Sequence, residues 1–226
     1  MSIPPTTAQS EPADPLAQIN AEIAACQRCD LYQHARHAVS GEGDPHAEVF
    51  LIGEAPSAYD DRNGRPFSGP SGVLLDELLA LAGLSRTQVF LTNVVKHHPQ
   101  EGHSLTPDEI TACAGYLTRQ IAAVNPRVVV TLGSYALARF GSAFPRMKIT
   151  QAHGQARLAN RRLVVAMYNP AAALHREELL ATVKKDFQLV LPAALAEARR
   201  LAAEGKLGQP DQPANADDAP QQMTLF

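Results

Sequence analysis

Cysteine is scarce in this chain: three in 226 residues. An odd and small number excludes a disulfide framework, and any clustered pair reads instead as metal ligands. Long apolar runs are lacking as well. None approaches the roughly 18 residues of a membrane span, so no transmembrane protein is expected. The first 14 residues lack the basic and apolar regions of a secretory signal, which makes a reducing cytoplasm the expected setting. Nor is there an excess of positive charge. Lys and Arg number 20 against 23 Asp and Glu, a net charge of −3. Wholesale electrostatic binding of nucleic acid is thereby excluded, and any DNA contact must come from local patches.

What is present reads as one domain with tails. Residues 1–14 and 204–226 are polar and Pro-rich, and such segments bury too little apolar surface to fold. The domain is expected over 15–203, with no internal repeat. Four β-branched-rich runs stand out: Val49–Gly53, Val89–Val95, Val128–Leu132 and Leu163–Met167. They are continuous rather than alternating, as in strands covered on both faces. Helical patterns separate them. Gly72–Leu84 has helical spacing, Thr106–Glu109 reads as a capping box opening a helix to about Ala123, and Ser134–Phe140 is a short helix. From Pro170 a helical pattern runs to about Ala203, with a break expected near Pro192. Alternating strands and helices predict a three-layer α/β/α sandwich on a central four-stranded parallel sheet. Ligands bind beyond the carboxyl ends of such strands, so the segments after each run carry the functional information.

The first of these segments, Gly53–Gly72, reads GEAPSAYDDRNGRPFSGPSG. It is far longer than the usual 2–6 residues of a βα connection. It resembles the first motif of the iron–sulfur (family 4) uracil-DNA glycosylases, G-E-x-P-G-x-x-x-D-x-x-G-R-P-F-x-G. Gly53, Glu54, Pro56, Asp61, Gly64, Arg65, Pro66, Phe67 and Gly69 match, whereas Ser57 stands where the family has glycine. Asn93–Lys96 resembles the family's T-N-x-V-K, Thr106–Glu109 with Cys113 its capped cysteine helix, and Cys26-Gln-Arg-Cys29 its C-x-x-C. The likeness runs from about Cys26 to Asn169.

The resemblance implies a metal site of Cys26, Cys29, His97 and Cys113, with His97 where the family has cysteine. Thiolates and imidazole both ligate iron–sulfur iron, so a 4Fe-4S cluster is expected, and the same donors also suit a structural zinc. Its expected role is to staple the N-terminal helix to the DNA-facing loop. Phe67 is implied to stack on an extruded uracil. Asn93 would read the uracil edge, since one amide can donate to O4 and accept from N3–H. Ser57 lies beside this pocket and bears on whether a C5 methyl is admitted. The catalytic candidates are Glu54, then Asp60, as carboxylates near C1′. Asn169 stands where the family usually has histidine; it can donate to uracil O2 but stabilises developing charge less well. Asp61 is expected to pair with Arg65, and Arg62, Lys96 and His98 to form the positive patch.

The leading expectation is a DNA repair hydrolase that removes uracil by base flipping and leaves an abasic site. One alternative is a protein that cross-links to uracil-DNA through a loop histidine, His103. Another is a non-catalytic binder of damaged DNA. The last residues, Gln222–Phe226, fit the Q-x-x-L-F pattern that docks in the bacterial sliding clamp. A monomer in the cytoplasm, associated with the nucleoid, is expected.

Overall fold

The computed structural model describes residues 14–174 and 176–207. The expected N-terminal tail up to residue 13 and the clamp-like Gln222–Phe226 lie outside them. The elements along the chain are α1 (Pro15–Ala24), β1 (Glu42–Gly43), β2 (Val49–Gly53), α2 (Ala58–Asn63), α3 (Pro70–Leu81) and β3 (Val89–Asn93). They continue with α4 (Pro107–Val124), β4 (Val128–Leu132), α5 (Ser134–Ala138), α6 (Ile149–Ala152), β5 (Gln155–Ala159), β6 (Arg162–Met167), α7 (Pro170–Ala173), α8 (Glu177–Lys185) and α9 (Leu191–Ala203).

The sheet has six strands in the order β1-β3-β2-β4-β6-β5, not four. The four expected strands are its parallel centre, and β1 and β5 add one antiparallel edge each. Neither edge carries a continuous apolar run. β1 is only two residues long, and β5 alternates between exposed and half-buried positions. In β2, β3 and β4 every residue is buried, because strand alternation sends successive side chains to opposite faces and both faces are covered. Val49, Leu51, Val89, Leu91, Val128 and Val130 join one core with α3, α8 and α9. Phe50, Ile52, Phe90 and Val129 join the other, with α1 and α4.

Two helix limits differ from expectation. After Pro170, α7 ends at Ala173 and α8 begins at Glu177, and the chain does not break at Pro192. Pro192 instead sits in the first turn of α9, directly after a π-helical stretch over Asp186–Val190. A wider turn there accommodates the residue that lacks an N–H donor. The domain also extends past Ala203: Leu207 is buried in the first core, and its N–H donates to the Leu201 carbonyl at 3.3 Å.

Candidate active site and metal centre

The carboxyl ends of β2 and β3 lie side by side, with Gly53 paired to Asn93 in register. The two following loops are stitched together: Val94 N–H donates to Gly53 O at 3.0 Å, and Val95 N–H to Glu54 O at 3.2 Å. Gly53 is where three groups meet. A Cβ added there would lie 2.2 Å from Asn93 Oδ1 and 2.7 Å from Phe67 Cζ. No other residue fits between the amide and the ring. Asn93 is buried, and its Nδ2 has no hydrogen-bond partner among the described residues. A buried amide donor left open is costly unless a ligand fills it. Phe67 is buried with its backbone at φ 52°, a left-handed conformation that a bulky residue holds only under strain.

The carboxylates divide into two kinds. Glu54 is half-buried, and burial alone pushes its carboxyl above the usual range. Asp60 is buried and fully engaged. One of its oxygens accepts Ser57 N–H at 3.0 Å, and the other accepts Ser68 N–H at 2.7 Å and the Ser68 hydroxyl at 3.0 Å. Ser57 Oγ in turn accepts Asp60 N–H, so the pair is the capping box of α2. Asp61 does not pair with Arg65. Its Oδ1 accepts the Arg36 and His37 N–H groups at 2.7 and 3.1 Å, while Arg65 Nε reaches Glu42 at 2.7 Å. Asp61 therefore ties the segment after the C-x-x-C to the first motif.

Asn169 caps α7, its Oδ1 accepting Ala171 N–H at 3.0 Å. Gly133, at φ +90°, packs on it, since an added Cβ would lie 3.3 Å from Asn169 Cβ. The cap occupies the amide oxygen and leaves the Nδ2 hydrogens for another acceptor.

Cys26, Cys29 and Cys113 are all free thiols. They are brought together by α1 packing on α4, with Arg119 and Glu22 paired across the contact. Burial raises the Cys29 thiol, with a smaller push from Cys26, and takes Cys113 up to about 11, with smaller pushes from Cys29 and Cys26. The main-chain N–H groups of Leu31 and Lys96 act the other way, lowering Cys29 and Cys113 respectively. His97, next along from that Lys96 amide, is buried with Nδ1 unpartnered among the described residues. Neighbouring free thiols and a buried imidazole nitrogen without a partner among the described residues are donors that could hold a metal group. No three or more His, Cys, Asp or Glu among the described residues converge tightly enough for a single ion.

Other expectations are redrawn. Lys96 is completely buried and contributes nothing to a surface patch. Its Nζ donates to Thr92 Oγ1 and Asn93 O at 2.7 Å each and to Gln120 Oε1 at 2.8 Å. Burial lowers its amine to about 7. His103 is held by Glu109, with Nε2 2.9 and 3.0 Å from the two carboxylate oxygens. It lines a cleft of about 520 Å³ with Cys29, His34 and His98. The sequence reading missed Arg86 and Glu42, which hold the Phe67 loop from another part of the chain. Nothing in local spacing links positions so far apart.

The sequence profile of the uracil DNA glycosylase superfamily matches residues 40–193. The chain is 38% identical over 195 residues to the type-4 uracil-DNA glycosylase of Sulfurisphaera tokodaii, covering 82% of this chain and 88% of that one. It is 37% identical over 181 residues to the type-4 uracil-DNA glycosylase of Archaeoglobus fulgidus, covering 77% and 91%. To the type-5 uracil-DNA glycosylase of Thermus thermophilus the identity is 38% over 122 residues, covering 46% and 55%. The chain belongs to the uracil-DNA glycosylase superfamily and, within it, to the type-4 uracil-DNA glycosylases.

Proposed function

We propose that this protein is a DNA repair glycosylase that hydrolyses the N-glycosidic bond of uracil in DNA. The observation that carries the reading is the convergence of the Phe67 ring and the open Asn93 amide on side-chain-free Gly53, with Glu54 next in sequence. A base swung out of the duplex loses its stacking neighbours, and the Phe67 ring replaces one of them. Asn93 Nδ2 donates to uracil O4 and Oδ1 accepts N3–H; cytosine presents the opposite pattern and is refused. Asn169 donates to O2 through the Nδ2 that its cap leaves open. Glu54 holds a water at the anomeric carbon and takes its proton. The oxygen bonds to C1′ as the C1′–N1 bond breaks, and uracil departs with the electron pair. Asp60, saturated by Ser57 and Ser68, serves the shape of the loop, which supports Glu54 as the base.

Cys26, Cys29, His97 and Cys113 would hold a 4Fe-4S cluster, which when bound staples α1 and α4 to the loop after β3. Three thiols and one imidazole are donors that both a zinc ion and an iron–sulfur cluster accept. The likeness to the type-4 glycosylases supports the cluster. The tie between His103 and Glu109 supports hydrolysis over a covalent route through that ring. Docking of Gln222–Phe226 in a sliding clamp, action as a monomer, and residence at the nucleoid of a reducing cytoplasm belong to the same proposal. They rest on the Q-x-x-L-F pattern and the free thiols. The test is a uracil-containing oligonucleotide incubated with the purified protein and run on alkaline and denaturing gels. Alkali-labile cleavage at uracil with no slow-migrating adduct is expected. An adduct lost in His103→Ala would replace hydrolysis by cross-linking, and binding without either product would refute both.

A further inference from the structure

Pro66 and Phe67 lie in a loop whose carbonyls belong to no helix or strand, and buried carbonyls need donors. One side chain supplies both. Arg86, in the turn that precedes β3, donates from Nη1 to Pro66 O at 3.1 Å and from Nη2 to Phe67 O at 2.8 Å. The guanidinium is itself aimed by two carboxylates: Nε lies 2.9 Å from Asp76 Oδ1, and Nη1 2.8 Å from Glu42 Oε1. Glu42 also receives Arg65 Nε at 2.7 Å, which fixes the residue just before Pro66. Burial works to raise the Glu42 carboxyl, but the hydrogen bonds from Arg65 and Arg86 hold it below its ordinary value. α3 packs on the same carbonyl at Gly72, where a Cβ would lie 1.7 Å from Phe67 O and 3.2 Å from Arg86 Nη2. The guanidinium thus holds the Phe67 carbonyl in space that the helix leaves open by having no side chain there. The residue held is the one at φ 52°, a strained conformation that persists only when its surroundings over-determine it.

We propose that Arg86 is a positioning residue for base recognition: it clamps the strained Pro66–Phe67 main chain and so sets the plane of the Phe67 ring. This rests on the reading of Phe67 as the stacking platform. A planar fork is what the geometry uses, because two carbonyls and two carboxylates are met at fixed angles. Lysine, a point charge on a flexible stem, cannot reproduce that. The clamp acts on the ring and not on DNA, since every contact of the guanidinium given above is to the protein itself.

The chain contains no tryptophan, so Phe67→Trp places a single indole reporter at the platform of the full-length, metal-loaded protein. Uracil-containing oligonucleotide should quench its emission. Absence of quenching would overturn the stacking reading and this proposal with it. With quenching present, adding Arg86→Gln should make the indole markedly more accessible to acrylamide in the free protein. In the Phe67 background, Arg86→Gln should lower kcat by about 10- to 100-fold, the scale of a misplaced reacting group. KM for the oligonucleotide should move less than about threefold, since phosphate contacts carry most DNA affinity. Arg86→Lys should fall between, and Glu42→Gln, which leaves Arg86 in place, should shift both readouts in the same direction. Unchanged acrylamide access and unchanged kcat in folded Arg86→Gln would overturn the clamp while leaving the stacking reading intact. So would a loss confined to thermal stability.

Discussion

Glu54 is raised by burial with no compensating cation, and this makes it both useful and costly. A carboxylate poised higher accepts a proton more readily near neutrality, yet its charge is unwelcome in the fold. Glu54→Gln should lower kcat about 100- to 10,000-fold, the usual worth of a positioned base. The sign of its stability effect follows from the direction of the shift. Because the folded-state pKa lies above the unfolded one, the wild-type protein loses stability as pH rises through the folded value. The glutamine variant should therefore melt higher than wild type at neutral pH, and the difference should vanish below the ordinary glutamate range. Its activity advantage runs the other way: the wild-type rate should fall on acidification as Glu54 protonates, and the residual rate of the variant should not. Melting curves and single-turnover rates across pH check both.

At the scale of elements, short caps hold the site loops. Asp60 closes α2 onto Ser57 and reaches across to Ser68, so Asp60→Ala removes half of the capping box and leaves the Ser57 and Ser68 main-chain donors open. A loss of about 1–3 kcal/mol is expected in denaturant unfolding, with kcat falling far less than for Glu54→Gln. Equal losses of kcat would return Asp60 to the catalytic group. Thr106 and Glu109 do the same for α4, and Glu109 adds the tie to His103. The Gly53–Gly72 segment was legible as a candidate site through its family resemblance, because the matching residues are contiguous. The clamp from Arg86 and the anchor from Asp61 to Arg36 and His37 were not, because they bridge distant segments through main-chain atoms that any residue supplies.

For the whole molecule, the proposed cluster joins α1, the loop after β3 and α4, so its loss should be felt globally. The purified protein should be yellow-brown, as iron–sulfur proteins are. Cys113→Ala should be colourless and melt lower, because metal-binding energy is partly folding energy. His97→Cys should keep its colour, a thiolate being the usual ligand. A colourless wild type carrying one equivalent of zinc would keep the ligands and refute the cluster. The other end of the fold offers a separate test. A chain ending at Ala203 should lose about 1.5–3 kcal/mol relative to one ending at Leu207, for the buried Leu207 side chain. Only the loss of Gln222–Phe226 should abolish binding to a sliding clamp.

The four apolar runs determined the parallel centre of the sheet, since a strand covered on both faces must be apolar at every position. The motifs in their order determined the family, and the capping signal at Thr106 determined where α4 begins. All of these are local patterns. Tertiary structure alone decided the edge strands, which are half-solvated and carry no such pattern. It decided that Lys96, polar by type, is buried among three oxygen acceptors, and that Asp60 is consumed by its own loop while Glu54 is left open. It also decided that a guanidinium from the turn before β3 holds the backbone of Phe67. Each of these depends on which distant atoms fill a residue's hydrogen-bonding capacity, and only the closed fold brings those atoms within about 3 Å of one another.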